Sequence, residues 1–205
     1  MMQKDVDNKL QFYLASSSPR RRELLSALGF AFAALPVEID ESRRGDESPG
    51  QMVVRLAVEK ARRARSVAPE HHPVLAADTV VALGNQVFGK PASRQEALAM
   101  LAQLSGNCHD VFTGIALDVA GKIQSSLSIT QVQFRELDER EAIAYWNSGE
   151  PTDKAGAYAI QGLGGAFVKA INGSYSGVVG LPVFETITLL RQAGIDPLGM
   201  AEQDQ

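Results

Sequence analysis

The sequence has very little cysteine and no long apolar run. Cys108 is the only cysteine among the 205 residues, which excludes an intrachain disulfide and a metal site built from several thiolates. There is no stretch of about 18 apolar residues, so no transmembrane helix is predicted. The opening residues, MMQKDVDNKLQ, are polar and lack the apolar segment of a signal peptide. We therefore expect a cytoplasmic protein that does not associate with membranes.

Histidine and net positive charge are also scarce. The formal net charge is −4, whereas a protein that binds nucleic acid through a broad face needs a basic surface. Nucleic acid is therefore not an expected partner. The three histidines lack the spacing of a metal site. We expect His71 and His72, in the proline-flanked segment APEHHPV, to be solvated loop residues.

Capping signals place four helices along the chain. A short apolar strand, Phe12–Ala15, leads to Ser18, which together with the following proline begins the first helix. Ser48, Ser93 and Asp138 are each followed three residues later by Gln or Glu. This spacing is typical of a capping box, in which two side chains bond to each other's backbone N–H groups.

Strand patterns lie between and after these helices. Val74–Leu83 predicts a buried strand, and Gly84-Asn85 predicts a hairpin turn after it. Two long strands follow. In the second, apolar residues alternate at Leu127 and Ile129 and then change phase at Val132, which we interpret as a β-bulge.

The segment AFVKAINGSYSGVVG predicts a second hairpin, with its turn at Asn172-Gly173. Helices and strands in this order predict an α/β fold with a long, partly antiparallel sheet. We expect a single domain at residues 12–194, after a disordered or extended segment at 1–11 and before a polar tail at 195–205.

Three arginines stand at the start of the first helix, where the partial charge of the helix N-terminus disfavours cations. At about 100° per residue, Arg21 lies on the face of Leu25 and Leu28, Arg20 lies at its edge and Arg22 points away. Arg20 and Arg21 would join the free N–H groups in an anion site, for which phosphate is the usual ligand. The alternative is three surface arginines, and this is the reading we adopt for Arg22.

Two more charged groups occur where apolar residues are expected. Lys60 continues the apolar stripe of Val53 and Leu56 on the second helix, so it needs a carboxylate or phosphate partner unless its amine escapes to solvent. Asp78 interrupts the apolar strand VLAADTVVAL. A carboxylate there is costly unless it is paired or bound to metal. We interpret Asp78 as a general base or metal ligand, with an aspartate that bonds a turn as the alternative.

An acidic cluster follows the second extended segment. Glu38, Asp40 and Glu41 offer carboxylate oxygens that suit Mg²⁺; the alternative is a solvated loop, which we favour for Glu38 only. Lys90 and Lys154 lie in Gly/Pro turns, where lysines are usually exposed. The chain lacks a Walker A pattern, GLGG lacks the G-x-G-x-x-G spacing, and GSYSG lacks the spacing of a nucleophile elbow.

The chain resembles the Maf family of nucleoside triphosphate pyrophosphatases, over about residues 13–190, in seven segments: LASSSPRRRELL, EIDE, RLAVEKA, AADTVV, GKP, DKAGAYAIQGLGG and INGSYSGVVGLP. The resemblance implies a fold similar to that of inosine triphosphate pyrophosphatases, with a long mixed β-sheet flanked by helices, two lobes and a central cleft. It also implies hydrolysis of a nucleoside triphosphate to the monophosphate and pyrophosphate, with Mg²⁺ or Mn²⁺ as cofactor.

The same resemblance implies roles for individual residues. Asp78 would be the catalytic proton acceptor, Lys60 and Glu41 would be catalytic, and Asp78 and Glu41 would bind the metal. The implied substrate-binding residues are Ser16, Ser18, Arg21, Lys90 and Lys154.

Three positions, Arg20, Thr79 and Gln161, match the branch that resembles dTTP/UTP pyrophosphatases. The branch that acts on 7-methyl-GTP would have Trp, Gln and Glu there. The expected substrates are dTTP, UTP and modified pyrimidine nucleotides. A 7-methyl-GTP pyrophosphatase and a nucleotide-sensing inhibitor of septum formation are the alternatives. The oligomeric state stays open, with a homodimer as one option.

Overall fold

The computed structural model describes residues 10–69 and 71–199. The predicted terminal segments, 1–11 and 195–205, lie mostly outside these residues. The described part of the chain has no helix long and apolar enough to cross a membrane. Its strands are β1 (Phe12–Leu14), β2 (Phe32–Ala34), β3 (Val74–Leu83), β4 (Gln86–Phe88), β5 (Cys108–Val119), β6 (Lys122–Phe134) and β7 (Val168–Asn172).

Six α-helices accompany these strands in the described residues: α1 (Pro19–Ala27), α2 (Pro49–Arg65), α3 (Arg94–Leu104), α4 (Glu139–Asn147), α5 (Tyr175–Val179) and α6 (Val183–Gln192). Short 3₁₀ helices occupy Glu150–Asp153, Ala155–Ala157 and Leu163–Phe167. All the strands join one sheet in the order β2-β1-β3-β5-β6-β7, with β4 also paired to β3. The predicted α/β fold with a long, mixed sheet is confirmed.

The helix starts follow the capping signals closely. α2 begins with a complete capping box of Ser48 and Gln51, and α4 also has one. At α3, Ser93 Oγ accepts from the N–H of Glu96, but the Glu96 carboxylate accepts from the N–H of Ala92. One of the two bonds predicted for the capping box at Ser93 is therefore wrong. The Glu96 carboxylate accepts from Ala92, the residue before the N-cap, and not from the N–H of Ser93.

β6 contains no bulge where the change of phase predicted one. It pairs with β5 in one unbroken register along its length. Ser128 and Thr130 are buried, whereas Leu127 is 37% and Ile129 is 51% exposed. The alternation of exposed and buried side chains is therefore unbroken from Leu127 to Phe134. The buried face carries hydroxyl residues in its middle, and the two apolar side chains belong to the outer face.

The hairpin predicted at Asn172-Gly173 is also wrong. β7 ends there, and the chain enters α5 instead of a second strand. Ser174 Oγ accepts from the N–H of Gly177 at 3.0 Å, so Ser174 is the N-cap of α5. The N-cap signal at Ser174, directly after the Asn-Gly pair, therefore prevails over the hairpin signal.

His72 is buried and not solvated as expected. Its ring packs edge-on against Tyr13, with the centroids 5.7 Å apart, and Arg65 Nη1 donates to its carbonyl oxygen at 2.6 Å. The neighbouring His71 is exposed. His72 therefore anchors this loop to the rest of the protein.

A gap opens along one edge of β3. β1 pairs with β3 in parallel at Val74 and Leu75, and β4 pairs with it in antiparallel from Val81 to Leu83. No strand of the described chain pairs with the stretch between them on this edge, whereas the other edge is paired to β5 throughout. β1 lies between β2 and β3, so the strand order reverses at β1. The crevice beside such a reversal is where open α/β sheets bind ligands.

Two hydrophobic clusters lie on either side of the gap. One packs β1 and the start of β3 against α1 and α6 around Phe12, Leu14, Leu25, Leu75, Leu181 and Leu190. The other packs the far ends of β3, β5 and β6 against α3 and α4 around Phe88, Leu101, Leu104, Phe134 and Tyr145. β3 and β5 contribute side chains to both clusters, which gives two lobes joined by one sheet.

α2 crosses the sheet very closely at Gly114 of β5. A Cβ atom on Gly114 would lie 2.5 Å from the backbone carbon and oxygen of Val53, so only glycine allows this approach. In the sheet register Gly114 is the partner of Asp78 on β3. The close packing therefore brings Lys60, seven positions along α2 from Val53, over the gap beside Asp78.

We predict that Gly114→Ala destabilises the fold by about 1–3 kcal/mol, because the added methyl group must push α2 away from the sheet. Urea unfolding measures the effect. Gly89→Ala is the matched control, since a Cβ there meets nothing within 4 Å and its φ is ordinary. Equal stability of the two variants would contradict the close approach.

Candidate active site

The gap in β3 is the floor of a cleft of about 840 Å³ between the lobes. Every residue that the sequence singled out for catalysis, binding or selectivity lines it: Ser16, Ser18, Arg20, Arg21, Glu41, Lys60, Asp78, Thr79, Lys90, Lys154 and Gln161. These residues come from α1 and α2, from β3 and from the loops around them. The fold thus gathers into one place positions that are spread over most of the chain.

Lys60 and Asp78 form an ion pair at the centre of the cleft. Lys60 Nζ donates to Asp78 Oδ1 at 2.6 Å and lies 2.6 Å from Glu41 Oε1. The Lys60 and Asp78 side chains are only 11% and 10% exposed, whereas that of Glu41 is 60% exposed. Lys60 and Asp78 thus each supply the opposite charge that the other requires when it is buried. Glu41 contacts Lys60 from the solvent side.

Only one member of the acidic cluster takes part in this arrangement. Glu38 is exposed, as expected, and Asp40 is exposed too. The Asp40 carboxylate accepts from the N–H of Ser42 at 2.9 Å, which is a local turn bond. The expectation of a less solvated role for Asp40 is therefore wrong.

The carboxylates of Asp78 and Glu41 fit a particular kind of metal site. The described part of the chain has no group of three or more His, Cys, Asp or Glu residues that could hold a metal ion by themselves. Mg²⁺, however, is usually bound through one or two carboxylates together with phosphate oxygens of a substrate. Two carboxylates converging on one cation, Lys60 Nζ, match that donor set.

Arg21 is partly buried beside this centre, and all its hydrogen-bond acceptors are neutral. Its Nε donates to the Gly180 carbonyl at 2.7 Å, its Nη1 to Ser16 Oγ at 3.1 Å and its Nη2 to Thr79 Oγ1 at 3.2 Å. Burial lowers the pKa of Arg21, and the nearby Asp78 charge opposes this effect. A guanidinium held in this way, with its charge incompletely balanced, favours an anion in the cleft.

A chain of hydroxyl groups holds Arg21 in place. Thr113 Oγ1 donates to the Gly177 carbonyl at 2.8 Å and lies 2.9 Å from Thr79 Oγ1. A hydroxyl has a single proton, so Thr79 donates to Thr113 and its oxygen accepts from Arg21. The Thr79 hydroxyl is therefore bonded within the protein. Sequence reasoning missed Thr113, for which no local signal exists.

Arg20 forms an ion pair across the mouth of the cleft. Its Nη1 donates to Asp153 Oδ2 at 3.1 Å, and Asp153 also pairs with Lys154. Burial tends to raise the pKa of Asp153, but hydrogen bonds from Lys154 and Arg20 leave it lowered overall. Arg22 is exposed, as predicted. Asp153 was missed by sequence reasoning, although it stands directly before Lys154 in the chain.

The cleft has an excess of basic side chains in an otherwise acidic protein. Six basic residues line it, namely Arg20, Arg21, Arg43, Lys60, Lys90 and Lys154, against three acidic ones, Glu41, Asp78 and Asp153. Lys90 and Gln161 are exposed at its rim. The whole chain, by contrast, has a formal charge of −4. Such a local concentration of one sign raises the local concentration of the opposite ion, so the cleft favours a polyanionic ligand.

The fold and the site define an α/β protein with a cationic cleft built around a carboxylate–lysine pair. The model of a family described as "Maf-like protein" matches residues 11–193. The chain belongs to the Maf family.

Relatives in three bacteria carry the name dTTP/UTP pyrophosphatase. The one from Saccharophagus degradans is 50% identical over 90% of this chain and 89% of its own. Those from Methylococcus capsulatus and Salmonella typhimurium are 49% and 52% identical, over 91% and 87% of this chain and 92% and 90% of their own. A solved dITP/XTP pyrophosphatase from Mycobacterium abscessus is 14% identical over 61% of this chain and 74% of its own, with a TM-score of 0.41.

We predict that Thr113→Val weakens the binding of inorganic tripolyphosphate by about fivefold to tenfold, the effect of losing one net hydrogen bond from the support of Arg21. Isothermal titration calorimetry measures the affinity. Thr188→Val is the matched control, because the Thr188 hydroxyl bonds only to the Phe184 carbonyl on the exposed side of α6. If both variants bind the anion alike, Thr113 does not support Arg21.

Proposed function

We propose that this protein hydrolyses dTTP and UTP, and modified pyrimidine nucleotides of the same kind, to the nucleoside monophosphate and pyrophosphate. The observation that carries the proposal is the Asp78–Lys60–Glu41 centre in a cleft otherwise rich in basic side chains. The names of the relatives support the same activity. We place the reaction in the cytoplasm, where its substrates occur.

The triphosphate would bind at the N-terminus of α1. The N-cap Ser18 makes no side-chain capping bond, which leaves the first N–H groups of the helix to a phosphate. Arg21 and Ser16 lie beside them, and Arg20 can exchange the partly exposed Asp153 for a phosphate oxygen. The charge of the substrate would account for Arg20 and Arg21 at the start of α1.

Asp78 would act as the general base. It lies in the floor of the cleft, where it can accept the proton of a water molecule that attacks the α-phosphorus in line with the departing pyrophosphate. Lys60 holds the carboxylate in place and balances its charge. Lys90 and Lys154, on the other side of the cleft, would neutralise the charge that grows on pyrophosphate.

Asp78 and Glu41 would also hold Mg²⁺ or Mn²⁺, with phosphate oxygens as the remaining ligands. Such an ion, when bound, supplies Lewis acidity and neutralises charge on the phosphates. The side chains that hold it come from β3 and from the segment before α2, so they face each other across the Lys60 ammonium.

Recognition of the base would fall to the rim of the cleft. The Gln161 amide both donates and accepts hydrogen bonds, which suits the edge of a pyrimidine. The Thr79 hydroxyl is bonded to Arg21 and Thr113, so its influence on selectivity would act through the position of Arg21. Arg20 would contribute from the first turn of α1.

We predict that the protein, supplied with Mg²⁺, releases pyrophosphate from dTTP and UTP faster than from CTP or 7-methyl-GTP. Chromatography of the products and a pyrophosphate assay measure this. A preference for 7-methyl-GTP would support the other branch of the family. Tight binding of nucleotides without turnover would support the nucleotide-sensing alternative instead.

We predict that Asp78→Asn lowers kcat for dTTP by about 10²–10⁴-fold, because an amide cannot accept the proton. Steady-state kinetics measure the loss, and thermal unfolding shows that the variant is folded. Asp40→Asn is the matched control, since Asp40 is exposed and its bond to the N–H of Ser42 survives in the amide. Near-normal turnover by folded Asp78→Asn would overturn the assignment.

A further inference from the structure

We propose that Glu150 is a positioning residue that sets the nucleotide selectivity of the cleft. It would do so by clamping the Gln161 loop, which we define as residues 159–164. The inference rests on the proposed function, because it concerns how the cleft selects its base. Glu150 does not itself line the cleft, so any effect on selectivity must pass through the loop.

The Glu150 carboxylate accepts three hydrogen bonds. Its Oε2 accepts from the N–H of Leu163 at 2.9 Å. Its Oε1 accepts from the N–H of Gly164 at 3.0 Å and from the hydroxyl of Tyr145 at 2.7 Å. Although burial tends to raise the pKa of Glu150, these bonds leave it lowered. Bonds between backbone N–H groups and an ionised carboxylate are stronger than neutral ones.

Tyr145 holds the other end of the loop. Its hydroxyl donates to Glu150 and accepts from the N–H of Ala159 at 3.0 Å. The side chain is buried, and its ring packs edge-on against Phe167, with the centroids 4.8 Å apart. Tyr145 therefore binds the loop at residue 159, and Glu150 binds it at residues 163 and 164. Gln161 lies between these two points.

The glycines of the loop allow this contact. A Cβ atom on Gly162 would overlap the Glu150 carboxylate, and one on Gly164 would lie 2.6 Å from Tyr145 Oη. The 3₁₀ helix Leu163–Phe167 also has no side-chain cap of its own. Glu150, from thirteen residues upstream, supplies the acceptor that its first N–H groups require.

A fixed loop backbone holds the base of the Gln161 side chain in one place at the rim of the cleft, which restricts the positions that its exposed amide can reach. An exposed glutamine on a loose loop could turn either its donor or its acceptor towards a base, and would then distinguish pyrimidines poorly. Uracil and thymine present an N–H where cytosine presents a bare ring nitrogen. Discrimination against CTP is therefore the property that depends on the clamp.

The experiment compares Glu150→Gln, Tyr145→Phe and the double variant with wild type. Glu136→Gln is the matched control, because Glu136 is exposed and its carboxylate makes none of the clamp's bonds. Hydrogen exchange of the amides of residues 159, 163 and 164 reports on the loop. The ratio of kcat/KM for dTTP to that for CTP reports on selectivity, and thermal unfolding reports on the fold.

We expect faster exchange of the loop amides in both single variants and a dTTP/CTP ratio about fivefold to tenfold lower, as for the loss of one well-placed hydrogen bond. The kcat for dTTP should change by less than about threefold, because Asp78 and Lys60 are untouched. The double variant should resemble the singles, since the two side chains act as one unit. If Glu150→Gln fails to fold, Tyr145→Phe carries the test.

An unchanged ratio in folded variants whose loop exchanges faster would overturn the proposal, as would equal losses for every nucleotide. A wild type that turns over no nucleotide would overturn the proposed function instead. In that case the ratio of the affinities for dTTP and CTP, measured by calorimetry, replaces the kcat/KM ratio. The same changes in this ratio then support or overturn the proposal. A wild type that binds neither nucleotide overturns both.

Discussion

The Lys60–Asp78 ion pair is the interaction on which the rest of the site depends. Each charge is costly in its own element, since Asp78 lies within a buried strand and Lys60 on the apolar stripe of α2. As an ion pair the two charges are compatible with the fold, because the attraction between them offsets the cost of removing each from water. Their contact requires α2 to approach the sheet as closely as Gly114 permits, and it places a carboxylate and an ammonium where the edge of β3 has no strand neighbour.

Under the proposed function, the charges around this pair serve to bind the triphosphate. Arg21 has only neutral acceptors, and Arg20 has an exposed carboxylate as its partner across the cleft. In the proposed mode of binding, a triphosphate would replace Asp153 at Arg20 and add negative charge beside Arg21. The neutral chain through Thr79 and Thr113 holds the guanidinium in place.

Local signals predicted several elements correctly where the residues concerned contact their own neighbours in the chain. The cap at Ser48 and the hairpin at Gly84-Asn85 are of this kind. Two wrong predictions depended on packing from elsewhere, whereas those at Ser93 and at Asn172-Gly173 were decided by competing local signals. The phase change in β6 predicts a bulge because Leu127 is apolar, but Leu127 lies on the outer face, and the middle of the buried face carries hydroxyl residues. His72 was assigned to solvent because it lies in a loop, but Tyr13 covers it.

The sequence by itself determined which charges face inward, because the helical and strand periods put Arg21, Lys60 and Asp78 on apolar faces regardless of the fold. Their resemblance to the Maf pattern added the expected chemistry. Only the tertiary structure decided which groups meet. Arg20 finds Asp153 at a separation of 133 residues, and Glu150 finds the Gln161 loop. Such partners follow from strand order and close packing, and no local spacing encodes them.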